Sequence, residues 1–196
     1  MKLYLVRHGE SEANRSNTLS TPTVELTENG KRDAENAGAL LRGLSFDRVF
    51  VSPYTRARQT QEIALPGVKA EIADCLHECD CGSLEGRSYA EAEEEYGEYF
   101  LQCCEVDDFK AFGGEDYANM RKRVREFMAL AAAQDCESIV GFTHAGVILA
   151  FFDEVLQREG KPGRYVHCNN GSVNIFEYYK EKNLWSLKAM NITGRL

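Results

Sequence analysis

The chain has 196 residues, 43% of them hydrophobic, which suits a single globular domain over 1–196 with a sizeable core. A net charge of −8 argues against a nucleic-acid groove or an acidic membrane surface as partner, and no apolar run is long enough to span a bilayer. Met1 runs almost directly into a strand signal with no secretory leader, so a cytoplasmic protein with reduced thiols is expected.

Leu3-Tyr4-Leu5-Val6 reads as a buried strand that stops at Arg7-His8-Gly9. A polar loop over 14–25 follows. Thr27 then predicts an N-cap, with Glu28 at the positive end of the helix dipole and Ala34, Ala37, Leu40, Leu41 and Leu44 on the core face. Arg48-Val49-Phe50-Val51 is a second strand. Ser52-Pro53 after it predicts a helix over 54–64 with Ser52 as its cap.

A weaker strand is expected over 68–72, and helices over 88–103 and 115–135. Ser138-Ile139-Val140-Gly141-Phe142 is another buried strand, followed by a helix over 147–156. Segments 173–179 and 184–190 read as a closing hairpin around Lys180-Glu181-Lys182-Asn183. This alternation predicts an α/β fold. It would be a three-layer α/β/α sandwich whose mostly parallel central sheet ends in an antiparallel edge strand.

The chemistry-bearing residues gather where strands give way to loops or helices, which is where open α/β sheets place ligands. His8 can act as a nucleophile, and Arg7 beside it can grip a phosphate through its planar fork. Arg56 falls in the first turn of a helix, within reach of an anion at that helix N-terminus, whereas Arg58 reads as a solvated helix residue. His144, in Thr143-His144-Ala145-Gly146-Val147, is a second histidine at a strand end. Ester cleavage also needs a proton for the departing oxygen. Glu78 is the candidate donor, with Asp80 and Glu85 as alternatives that spacing alone does not rank.

Cys75, His77, Cys79 and Cys81 alternate as metal ligands on one strand face would. Single-residue gaps wrap a tetrahedral ion poorly, so idle or buried thiols are the expectation and no metal site is assigned.

Taken together, the motifs resemble the histidine phosphatase superfamily, also called phosphoglycerate mutase-like, and in particular its small phosphatases. The resemblance rests on Arg7-His8-Gly9-Glu10-Ser11 with Asn14, Leu26-Thr27-Glu28-Asn29-Gly30, Ser52-Pro53 with Arg56-Ala57 and Gln59-Thr60, Glu78 with Gly82 and Glu85-Gly86, Gly114-Glu115, and Thr143-His144-Ala145-Gly146-Val147. It implies a phosphomonoester hydrolase acting on a small phosphorylated metabolite, of α-ribazole phosphate or sugar phosphate type, without metal or organic cofactor. It further implies His8 as the residue that becomes phosphohistidine, and Arg7, Arg56, His144 and Asn14 as phosphoryl-binding. Glu78 would be the general acid, later the base that activates water.

Ala13, Leu84, Asp33 and Asp116 depart from residues common at those positions, which loosens any inference of substrate from the resemblance. A phosphoglycerate mutase-type phosphotransferase and a non-catalytic phosphate-binding module are the competing readings. Retention of both His8 and Glu78 speaks against the module. The short, acidic segment 87–113 would oppose the second cationic subsite a mutase requires if it covers the pocket, although such a run is more often a solvated helix face. Tyr89, Tyr96, Tyr99, Phe100, Phe109 and Phe112 in that segment could wall a ring-bearing leaving group, although aromatics at helical spacing usually pack in a core.

Overall fold

Alternation along the first strand sets the layers. In the structure, a computed structural model describing residues 1–160, 162 and 166–194, the first element is β1 (Lys2–Arg7). It is followed by α1 (Glu12–Ser16), α2 (Glu28–Leu41), β2 (Arg48–Val51), α3 (Thr55–Ala64) and β3 (Glu71–Ile72). Next come α4 (Tyr89–Tyr96), α5 (Glu98–Val106), α6 (Tyr117–Ala132), β4 (Ser138–Thr143) and α7 (Ala145–Val155). The antiparallel pair β5 (Val173–Tyr179) and β6 (Leu184–Ile192) closes the sheet.

Leu3 and Leu5 face one core with Phe50, Phe127, Ile148 and Phe151, so α6 and α7 cover that side. Tyr4 and Val6 face the other with Ala37, Leu41, Ala57 and Ala64, so α2 and α3 cover the opposite side. The result is the expected α/β/α sandwich. Its six strands run in the order β3-β2-β4-β1-β5-β6. The β3/β2, β2/β4 and β4/β1 pairs are parallel, and β1/β5 and β5/β6 are antiparallel. The antiparallel edge is therefore two strands wide.

Several elements differ locally from the sequence expectation. Helix α2 is capped by Thr27 as expected, its Oγ1 accepting from the Gly30 N–H at 3.0 Å. It stops at Leu41, however, which leaves Leu44 45% exposed. The expected strand over 68–72 is only Glu71–Ile72, with both residues exposed. The expected helix over 88–103 is two helices, broken at Gly97, whose φ of 57° and ψ of −137° no helix accommodates. The loop over 14–25 begins inside the short α1. Ser52 does not cap α3; Tyr54 holds that position with no side-chain bond. Cys75 lies in a short 3₁₀ turn rather than a strand, and among the described residues no group of His, Cys, Asp and Glu side chains could hold a metal ion. Nor is any described helix long and apolar enough to cross a membrane.

The turn after β1 is locked against the start of α2 by backbone alone. A methyl group at Gly9 would lie 2.1 Å from the Gly30 carbonyl oxygen, and one at Gly30 only 1.9 Å from that of Glu10. Neither clash can be relieved by rotating a side chain. Gly30→Ala is therefore expected to destabilise the fold by about 1–3 kcal/mol, or about 2–12 °C in Tm for a chain of this size, as measured by thermal unfolding. An unchanged Tm would show that this backbone contact is not constraining.

Candidate active site

Three parallel strands deliver the site. Because β1 pairs with β4 in the register Arg7↔Thr143, and β2 with β4 in the register Val51↔Phe142, the residues just beyond each strand emerge together. The ladder continues one step further, with His8 N–H donating to the Thr143 carbonyl and Ser52 N–H to that of Phe142, each at 2.9 Å. His8, His144 and Ser52 thus leave the sheet at one edge.

His8 is buried, and its Nδ1 bonds the Gly9 carbonyl at 2.6 Å. A carbonyl only accepts, so the proton sits on Nδ1 and Nε2 keeps its lone pair. That Nε2 receives the Arg56 Nε–H at 3.2 Å. Gly9 is anchored in turn: its N–H donates to Thr60 Oγ1 at 3.1 Å, and Thr60 donates to the Arg56 carbonyl at 2.7 Å. The turn after His8 and the helix carrying Arg56 are therefore one unit. Burial is the main reason His8 titrates well below the ordinary histidine value, with the Arg56 and Arg7 cations adding to it.

Arg56 is 1% exposed. Its Nη1 donates to the Thr21 carbonyl at 2.9 Å, and its guanidinium carbon lies 5.1 Å from the centre of the Tyr54 ring. Burial lowers its pKa to about 10, so it remains a cation at neutral pH. Arg7 donates through Nη1 to the Cys168 carbonyl, while its buried Nε has no partner. Asn14 Oδ1 is taken up by the Ser11 N–H and hydroxyl and by Asn170 Nδ2.

His144 lies with its ring 5.1 Å from that of His8, fully buried. Its Nε2 is 2.8 Å from Ser52 Oγ, and its buried Nδ1 has no partner. Burial first, then Arg56 and His8, keep it titrating well below the ordinary range.

A cavity of about 420 Å³ opens over these groups and is lined by Arg7, His8, Asn14, Arg56 and Glu78. His144 is not part of this lining but stands beside His8, which is. Of the three acidic candidates only Glu78 reaches the cavity; Asp80 is turned to the Gly82 N–H at 2.7 Å, and Glu85 is not part of the lining. The Glu78 carboxylate accepts from the Cys79 N–H at 3.0 Å and the Gly146 N–H at 3.3 Å, which brings it to the N-terminus of α7.

Sequence reasoning missed the residues that hold these groups in place. Asn170 Nδ2 and Gly171 N–H both donate to the His8 carbonyl, at 3.1 and 3.2 Å. Arg123 pairs with Glu115 at 2.6 Å and donates to the Cys75 carbonyl at 3.1 Å, while Glu115 accepts the Asp80 N–H at 3.2 Å. This buried pair brackets the loop carrying Glu78. Asn170-Gly171 is a turn-forming pair, but nothing in the sequence indicates which carbonyl it meets. Of the six aromatics in 87–113, Tyr89 and Phe109 line the cavity. Tyr96, Phe100 and Phe112 pack with Phe109 in an apolar cluster without lining the cavity themselves, and Tyr99 is 52% exposed.

Comparison with known proteins points one way. A family profile described as the histidine phosphatase superfamily (branch 1) matches residues 3–193. The adenosylcobalamin/α-ribazole phosphatase of Salmonella typhimurium is 36% identical over 154 residues, 76% of each chain. The crystal structure of the α-ribazole phosphatase from Shigella flexneri superposes with a TM-score of 0.83 at 26% identity, covering 98% of this chain and 96% of that one. A 2,3-bisphosphoglycerate-dependent phosphoglycerate mutase 2 from Latilactobacillus sakei is 41% identical over 105 residues, 50% of this chain and 46% of that one.

Two buried neutral imidazoles carry a pH signature. Their folded-state pKa values are depressed, so below the ordinary value of 6.5 the unfolded chain binds protons that the native site refuses. Stability is expected to be fully present above that pH and to fall as pH drops through it, by up to about 1.4 kcal/mol per pH unit for each histidine. Urea unfolding across this range checks it, and His144→Asn should reduce the slope. A flat profile below pH 6.5 would mean that neither imidazole resists protonation.

Proposed function

The chain belongs to branch 1 of the histidine phosphatase superfamily, and on that footing we propose that it hydrolyses a small phosphomonoester through a phosphohistidine on His8. The observation that carries this reading is the state of His8. Its Nδ1–H is tied to the Gly9 carbonyl, and its Nε2 lone pair faces Arg56 at the floor of a cavity that also contains Glu78.

In the first step the Nε2 lone pair attacks phosphorus and the ester P–O bond breaks, the departing oxygen taking the proton of the Glu78 carboxyl. In the second, water attacks phosphorus and gives a proton to the Glu78 carboxylate. The P–N bond breaks, returning its electron pair to Nε2 and releasing inorganic phosphate. Arg7, Arg56, His144 and Asn14 bind the phosphoryl group as its charge spreads over three oxygens. Two buried guanidiniums with one nearby carboxylate suit a dianion, the Arg7 Nε–H is a donor still to be used, and His144 Nδ1 has no protein partner.

For the leaving group we propose a ribose bearing a flat apolar base, of the α-ribazole phosphate kind. Leu19, Tyr89, Phe109, Met120 and Leu149 supply apolar lining, and relatives named as α-ribazole phosphatases support the same class. A bisphosphate-dependent mutase would need a second cationic subsite. Among the described residues, the only cations lining the cavity are Arg7 and Arg56, and Asp107 lines it as well.

The test is phosphate release from α-ribazole phosphate, sugar phosphates, 3-phosphoglycerate and p-nitrophenyl phosphate. His8→Ala should abolish turnover and the acid-labile phosphoenzyme. Glu78→Gln should slow α-ribazole phosphate hydrolysis by roughly 10²–10⁴-fold, yet slow p-nitrophenyl phosphate far less, because that leaving group departs without a proton. Turnover that survives in His8→Ala would overturn the nucleophile assignment. Equal losses on both substrates would remove Glu78 as the acid, and a flat substrate profile would remove the base-binding wall.

A further inference from the structure

Ser52 was expected to cap a helix, and it does not. It lies at the end of β2, fully buried, with its Oγ 2.8 Å from His144 Nε2 and accepting the Tyr54 N–H at 3.3 Å. Either atom of the Ser52–His144 pair can be the donor. Accounting for every polar group decides which one it is.

Suppose Nε2 carried the proton and donated to Ser52. The hydroxyl hydrogen would then have no acceptor among the described residues, since Oγ has no further bond beyond His144 and Tyr54. The buried Nδ1 of His144 would be a bare lone pair beside His8, the worst partner for an incoming phosphoryl oxygen. In the opposite arrangement every group is used. Tyr54 N–H donates to Oγ, the Ser52 hydroxyl donates to Nε2, and the single proton of the neutral ring sits on Nδ1. That nitrogen has no protein partner and is ready to donate to an anion.

Resting on the functional reading above, we propose that Ser52 is a positioning residue for phosphoryl transfer: its hydroxyl fixes His144 as the Nδ1–H tautomer, which donates to an oxygen of the phosphoryl group carried by His8. The two histidines then share one tautomer for opposite purposes. In His8 the Nδ1–H is held by the Gly9 carbonyl so that Nε2 can attack. In His144 Nε2 is held by Ser52 so that Nδ1–H can donate.

Histidine ¹⁵N NMR of the whole enzyme at neutral pH reads the tautomer directly, and among the four histidines His144 is identified by loss of its signals in His144→Asn. The expected result is a protonated Nδ1 and a bare Nε2 in His144 of the wild type; the reverse overturns the proposal whether or not the enzyme turns over. Ser52→Ala is expected to lower kcat roughly ten- to hundredfold, less than removal of a direct oxyanion donor, with little change in KM. In a His144→Ala background the same substitution should change kcat less than about twofold, because Ser52 acts only through that ring. Equal losses in both backgrounds would overturn the positioning role. Absence of turnover on every phosphomonoester would instead overturn the functional reading, leaving the tautomer to be judged by NMR.

Discussion

The site depends on keeping one imidazole nitrogen unprotonated between two guanidiniums, out of water. Left to themselves these groups would not assemble, because buried cations repel and each loses hydration. The fold offsets that cost with fixed dipoles. The Cys168 carbonyl takes Arg7, the Thr21 carbonyl and Tyr54 ring take Arg56, and the Gly9 carbonyl takes the His8 proton. These partners neutralise locally without adding negative charge, so the cationic field remains directed at the cavity. The same burial that makes the cations expensive keeps His8 neutral, so the cost and the reactivity have one origin.

Rigidity comes from how few independent parts carry these groups. Register along β1, β4 and β2 places His8, His144 and Ser52 at one edge, and Thr60 ties the Gly9 turn to the Arg56 helix. The Gly9–Gly30 backbone contact adds α2 to the same block. Glu78 comes from a longer, less regular loop, which is why it needs the Arg123–Glu115 pair on its flanks and the Gly146 N–H at its carboxylate. His8, His144 and Ser52 are set by the sheet, while Glu78 is set by a clamp.

The apolar lining of the cavity draws on two clusters: Leu19 and Phe109 belong to a third, smaller one around α4 and α5, whereas Met120 belongs to the core beneath α6 and α7. The smaller cluster contains no strand residue, so its share of the lining can vary with less effect on the edge that carries His8 and His144.

The sequence alone determined the layers, most of the elements and the residues that meet. Period-two apolar runs report burial on both sheet faces, and the strand ends carrying His8 and His144 with Arg56 in the first turn of a helix report a ligand edge, because both signals are local in the chain. Tertiary structure decided what depends on distance. It selected Glu78 over Asp80 and Glu85 as the acid that reaches the cavity, and sent Phe100 and Phe112 into a core. It also turned Ser52 from a helix cap into a partner of His144, and brought Cys168 and Asn170 across the fold to Arg7 and His8. A hydrogen bond between residues more than ninety positions apart leaves no periodic trace in either segment, so only the folded register of β1, β2, β4 and the loop before β5 could show it.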